Sequence, residues 1–229
     1  MSSTGMSHDS STELVLDSVS KSYESTSVLR GVSLRAEGGD FIAIVGPSGV
    51  GKTTLLGIIG GLERPSSGKV LFNGRDLATL DDRQLAKYRN KSVGFIHQTF
   101  NLIPFFSARE NVAVPMVIAG KQPSWAGERS LSLLESVGLK EKANLIPKQL
   151  SGGEQQRVTI ARALCNEASV ILADEPTANL DERNEGVIIG HLLKLVDEGK
   201  VVILATHDGG LARCASRILA IEEDGLHEI

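Results

Sequence analysis

Cysteine is nearly absent: Cys165 and Cys214 are the only two among 229 residues. That excludes a disulfide framework and a cysteine zinc set, and it predicts buried, reduced thiols in a cytosolic protein. An excess of basic charge is missing too. The 24 Lys and Arg face 28 Asp and Glu, for a net charge of −4 and a pI near 5.8. This argues against a nucleic-acid-binding surface, so no nucleic-acid partner is expected. No apolar run approaches the roughly 18 residues that a membrane span requires. Residues 1–12 are polar, lack the apolar core of a signal peptide, and read as a disordered tail. A role at a membrane would therefore run through a partner. There is no internal repeat and no spacing of metal ligands. His8, His191 and His227 have no functional reading.

The chain does carry Gly46-Pro47-Ser48-Gly49-Val50-Gly51-Lys52-Thr53. It matches G-x-x-x-x-G-K-[ST], the phosphate-binding loop of P-loop NTPases. Backbone N–H groups must point inward at a polyphosphate, and glycine permits that turn. Lys52 then places a positive charge on the phosphates, and the Thr53 hydroxyl is set to ligate Mg²⁺. Phe41 to Val45 reads as a strand buried on both faces, and Thr53 to Ile59, including Thr54, as the start of a helix. The helix dipole favours anions at that end.

Around this motif the chain alternates. Strands are expected from Leu14, at Val28–Leu34 and at Lys69–Phe72, the last closed by the Asn73-Gly74 turn. They form a small antiparallel sheet. Pro65 to Gly68 reads as a loop. A polar helix at 81–91 precedes a strand at Val93–Ile96. From Thr99 to Ala163 an irregular Phe/Pro stretch leads to an amphipathic helix with Leu131, Leu134 and Val137, then a helix from Ser151. Strand, helix and strand follow at 169–173, 184–198 and 201–205. Such alternation implies a parallel sheet covered by helices.

Val170 to Asp174 is an apolar strand that ends in Asp174 and Glu175. A carboxylate at such a tip beside a P-loop is positioned to hold Mg²⁺, the role of Asp174. Glu175, one residue on, suits a general base for the attacking water. The bland alternative is a solvated acidic pair.

Leu150-Ser151-Gly152-Gly153-Glu154-Gln155-Gln156-Arg157 is the most specific stretch. Ser151 and Glu154 form a capping-box pattern, which does not explain two glycines at a helix start. Glycines there expose N–H groups to a phosphate. LSGGEQQR resembles the signature of ATP-binding-cassette (ABC) ATPases, and the resemblance runs from about Leu14 to Ile229. It implies an α/β fold: a P-loop NTPase (RecA-like) core with a mainly parallel sheet, a small antiparallel β subdomain and a helical signature subdomain at about 99–165. Residues 13–229 would then be one ABC ATPase domain.

The resemblance also implies roles. Tyr23 stands where the family stacks an aromatic on adenine. Gln98 matches the glutamine that senses Mg²⁺ and the attacking water, and His207 the switch histidine at the γ-phosphate. Ala178-Asn179-Leu180-Asp181 resembles the loop that crosses to the opposite subunit. His97 departs from an expected aromatic, and Val50 from the commoner Ser or Cys. In this family the Ser151-Gly152-Gly153 segment binds ATP held by another subunit's P-loop, so a head-to-tail dimer is implied, with ATP and Mg²⁺ between the subunits.

The implied function is the ATP-hydrolysing subunit of a membrane transporter or mechanotransmission complex, docked on transmembrane permease subunits at the inner face of the cell membrane. A mechanical ATPase without a membrane partner, such as the iron–sulfur assembly relatives, is the alternative. Gly94 to Pro104, followed by Glu110-Asn111-Val112, resembles the macrolide-export and lipoprotein-release group. Phe105 and Phe106 are adjacent, so one regular element does not bury both against one core. At least one is expected to line a groove that receives a helix of the permease.

Overall fold

The computed structural model describes residues 12–178, 180–222 and 224–229. The expected disordered tail lies outside them, apart from Thr12. Strands β1 (Glu13–Tyr23) and β2 (Thr26–Glu37) pair antiparallel. Strand β3 (Phe41–Val45) leads through the phosphate loop into helix α1 (Lys52–Ile59). Strands β4 (Ser67–Phe72) and β5 (Arg75–Asp76) complete an antiparallel sheet in the order β2-β1-β4-β5. Strand β4 starts inside the expected loop because Ser67 pairs with Ser20 beyond a register shift in β1.

Helix α2 (Asp82–Ser92) is capped by Asp81 and Gln84 and runs into β6 (Val93–Ile96). Three helices follow: α3 (Ala108–Ile118), α4 (Pro123–Ser136) and α5 (Gly152–Ala163). The chain then returns through β7 (Val170–Asp174), α6 (Glu182–Asp197), β8 (Val201–Thr206) and the short α7 (Gly209–Ala212). It ends in a hairpin of β9 (Arg217–Glu222) and β10 (Gly225–Glu228). The second sheet has the order β10-β9-β3-β8-β7-β6, and only the terminal hairpin is antiparallel.

This sheet has an apolar cluster on each face, and alternation along the strands sorts side chains between them. Ile42, Ile44, Leu172, Ile203 and Ala205 pack with α1 and the antiparallel sheet. Phe41, Ile96, Ile171, Val202 and Leu204 pack with α3, α4, α5 and α6. Each fully buried aliphatic side chain contributes on the order of 1.5–3 kcal/mol, so the strand ends that carry the site are firmly held.

The structure corrects one expectation. The Phe/Pro stretch from Thr99, read as irregular, runs into a regular helix, because Ala108–Ile118 form α3 despite Pro115. Ser107 and Glu110 close a capping box at its start, and Ala108, Val112 and Met116 lie on its buried face. Of the two thiols expected to be buried, one is. Cys165 is buried, and burial pushes its thiol up to about 12, whereas Cys214 is only half-buried. Among the described residues no helix is long and apolar enough to cross a membrane.

Candidate functional site

Gly51 turns the chain from the phosphate loop into α1 with φ 115. A Cβ there would stand 2.9 Å from Leu29 Cδ2 and 3.1 Å from the Val28 carbonyl oxygen, so no other residue fits. The first turn of α1 holds no acidic residue and no side-chain cap. No side chain therefore competes for the N–H groups at this helix start, as an anion site requires. Lys52 is buried. Its Nζ donates to the carbonyl oxygens of Gly46 at 2.7 Å and Pro47 at 3.1 Å, so the cation is folded into the loop it serves. Pro47, Ser48 and Gly49 are exposed. Val50 packs against the core, which accounts for an apolar residue at that position.

The sheet order sets β8 between β3 and β7 and gathers three strand tips. Thr53 Oγ1 donates to Asp174 Oδ2 at 2.9 Å. Glu175 follows with φ 46, a left-handed conformation that costs a non-glycine residue about 1–2 kcal/mol. Its backbone N–H donates to Ala205 O at 2.9 Å, which holds that turn in place. The Glu175 carboxylate meets His207 Nδ1 at 2.8 Å and accepts from Thr206 Oγ1 at 3.3 Å. Lys52, Thr53, Asp174, Glu175 and His207 thus converge.

Gln98 does not join them. It lies in an exposed turn after β6, and its side chain makes no hydrogen bond among the described residues. His97 beside it stacks flat on Phe95, with centroids 5.0 Å apart and planes 2° from parallel, and so fills the expected aromatic position. Burial, followed by the charge of Arg162, lowers its pKa. Tyr23 is exposed at the end of β1. Its hydroxyl donates to Glu63, and the Lys21 ammonium sits 4.9 Å from its ring centre. The Glu63 hydrogen bond raises the Tyr23 pKa. Thr54 is half-buried beside this group.

Ser151 caps α5 in a reciprocal pair with Glu154, and Lys142 holds the Glu154 carboxylate from the other side. Gly153 is buried, and a Cβ on it would meet Asn184 Cγ at 2.5 Å, so this glycine also lets α5 approach α6. Asp181 is the N-cap of α6 and accepts from the Asn184 backbone N–H at 2.9 Å. That bond, then the Asn184 side chain, lowers the Asp181 pKa. Arg157 donates to Asn184 Oδ1 at 3.3 Å and so ties the signature helix to the Asp181 turn. No sequence signal marked Asn184 as that link. Asn179 lies outside the described residues. Among the described residues no hydrogen bond joins Ser151–Gly153 to the phosphate loop.

The family model described as ABC transporter matches residues 29–178. The chain belongs to the ABC transporter family. This ABC cassette is 48% identical over 215 residues to the macrolide export ATP-binding/permease protein MacB of Nitrobacter winogradskyi, covering 92% of this chain and 33% of that protein. It is 46% identical over 200 residues to the lipoprotein-releasing system ATP-binding protein LolD of Hyphomonas neptunium, covering 87% of this chain and 88% of that one. The cassette therefore spans about a third of the length of the macrolide exporter that it matches. Both relatives fall in the group that residues 94–112 resemble. Among solved structures, the cassette matches the dimeric ATP-binding cassette MJ0796 in a post-hydrolysis state bound to ADP and Pi. The TM-score is 0.87 at 39% identity, over 94% of this chain and 97% of that one. The fold is thus that of an ABC ATPase, as expected.

Proposed function

We propose that this cassette is the ATP-hydrolysing subunit of a membrane transport or mechanotransmission complex. It works as a head-to-tail dimer, most simply of two identical chains, docked on transmembrane permease subunits at the inner face of the cell membrane. Residues 13–229 act as one ATPase domain, with a helical subdomain at about 99–165.

One observation carries the reading. Lys52, Thr53, Asp174, Glu175 and His207 gather at one end of the sheet, while Ser151 caps a separate helix with no bond to them. A second copy supplies Ser151-Gly152-Gly153 to close each site. Gly46 to Thr54 cradle the phosphates, Lys52 neutralises them, and Tyr23 packs on the base. Asp181 belongs to the turn facing the partner.

The oxygen donors fit a hard cation: Thr53 Oγ1 and Asp174 Oδ2 already lie within hydrogen-bond distance of one another. These two residues would hold Mg²⁺, which supplies charge neutralisation of the phosphates, and Gln98, which stands apart from them in the exposed turn after β6, would move in as a further oxygen ligand. Glu175 takes a proton as water forms its bond to the γ-phosphorus and the bond to the ADP oxygen breaks. His207 orients Glu175 and faces the γ-phosphate.

The test mixes two inactive variants. Lys52→Ala is expected to lose ATP binding, and Ser151→Arg to keep binding but lose hydrolysis. In a head-to-tail heterodimer both lesions fall on one composite site and leave the other intact, so the mixture regains activity. Wild-type turnover by Ser151→Arg alone would sink the shared-site reading.

A further inference from the structure

Arg162 lies on α5, eleven residues beyond Ser151, which is about 16 Å along a helix axis. Its guanidinium reaches out of the helical layer to the segment that follows Gln98. Nη1 donates to Asn101 O at 2.6 Å and Nη2 to Phe100 O at 2.8 Å. Phe100 and Asn101 have φ of 45 and 50, so two successive non-glycine residues sit in the left-handed region. That geometry is unfavourable and persists only where surroundings impose it. Arg162 is half-buried and has no carboxylate within ion-pair distance among the described residues. Its charge is therefore spent on these two carbonyls.

The far end of the same segment is also held by a helix. Buried Asn111 on α3 accepts from the Ile103 N–H at 2.7 Å and donates to the carbonyls of Ile103, Phe106 and Ser107. Residues 100–107 thus belong mechanically to the helices. Gln98 stands at the junction, two residues from the Arg162 clamp and two from the end of β6 in the core sheet.

We infer that Arg162 is a positioning residue for hydrolysis: it links the signature helix to the backbone of Phe100 and Asn101 and so sets where Gln98 stands relative to Thr53 and Asp174. The inference rests on the reading of Gln98 given above. A nucleotide that engages Ser151 from the partner would pull on α5 at one end, and the rigid helix would deliver that displacement to Gln98 at the other. The planar fork matters, because a lysine ammonium does not direct two bonds at successive carbonyls.

The test uses the full chain and four variants: Arg162→Ala, Arg162→Lys, Gln98→Ala and the double variant Gln98→Ala/Arg162→Ala. Misplacing a catalytic group by about 1 Å costs on the order of a hundredfold in rate. Arg162→Ala should therefore lower kcat by about ten- to a hundredfold and raise the Mg²⁺ concentration needed for half-maximal rate. ATP affinity without Mg²⁺ should stay within about twofold. Arg162→Lys should fall between wild type and Arg162→Ala, and it carries the test if the alanine variant does not fold. In the Gln98→Ala background, Arg162→Ala should have no further effect on rate. Multiplying effects of the two substitutions would overturn the link while leaving Gln98 in its role. A Gln98→Ala variant that hydrolyses at the wild-type rate would overturn the Gln98 reading itself, and the link with it.

Discussion

Thr53 Oγ1 and Asp174 Oδ2, 121 positions apart in sequence, are joined by a hydrogen bond of 2.9 Å. They meet because β3, which runs through the phosphate loop into the helix carrying Thr53, and β7, which ends at Asp174, flank β8, and all three strands run parallel. Their C-terminal tips therefore fall at one end of the sheet, where open α/β sheets place their ligands. Glu175 and His207 arrive by the same geometry.

Glu175→Gln keeps the shape that meets His207 and Thr206 but removes the proton acceptor. ATP should still bind, with hydrolysis slower by at least about a hundredfold, the usual loss for general-base catalysis. The variant should elute as a dimer from size-exclusion chromatography in Mg-ATP, at several protein concentrations. A monomeric elution at all of them would count against Glu175 as the base.

Ser151 has two duties that substitution separates. Ser151→Ala loses the cap on α5 and should cost about 1 kcal/mol of stability, read as a lower Tm. Ser151→Asp keeps a good cap and should melt near wild type. It sets a negative charge against the partner's phosphates, so turnover should collapse. If Ser151→Asp hydrolysed ATP normally, Ser151 would not face a phosphate.

Glu154 gives a pH signature. Lys142, then the Ser151 backbone N–H, holds its carboxyl below the ordinary value of 4.5. A lowered folded pKa contributes stability above the unfolded value, and that contribution is lost as pH falls through the folded value. Glu154→Gln should therefore lower Tm at pH 7, and the gap to wild type should close as the pH drops below the ordinary carboxylate range. A gap that persists unchanged at pH 3 would contradict the ion pair.

Phe105 is 89% exposed, and Phe106 lines a groove with Val114, Val117, Ile118 and Pro123. Such exposure of a large aromatic suits a binding anchor. Replacing both by Asp should leave folding and ATP binding intact, and should stop co-purification with the permease. Normal assembly and transport by the double variant would place docking elsewhere.

The parts legible in the sequence are local. The β3 strand, the phosphate loop and α1 are contiguous, and spacing alone sets their geometry. Asp174 and Glu175 were legible because an apolar strand ending in acids has few readings beside a P-loop. Helix α3 was hidden by Pro115, and its buried face includes Asn111, whose amide bonds to backbone rather than packing as a hydrophobe. Arg157, Asn184 and Arg162 act across elements that only the fold brings together. No pattern along the chain marks such contacts.

The placement of β8 has a consequence for how the protein is made. β3 and β7 leave the ribosome before the strand that must lie between them. Until Val201–Thr206 is synthesised, each presents an unsatisfied apolar edge, the kind of edge that pairs with other chains. The same late insertion assembles the last wall of the catalytic end. Until residue 207 has been made, a nascent chain therefore lacks the His207 partner of Glu175, and its two open edges can pair with other chains.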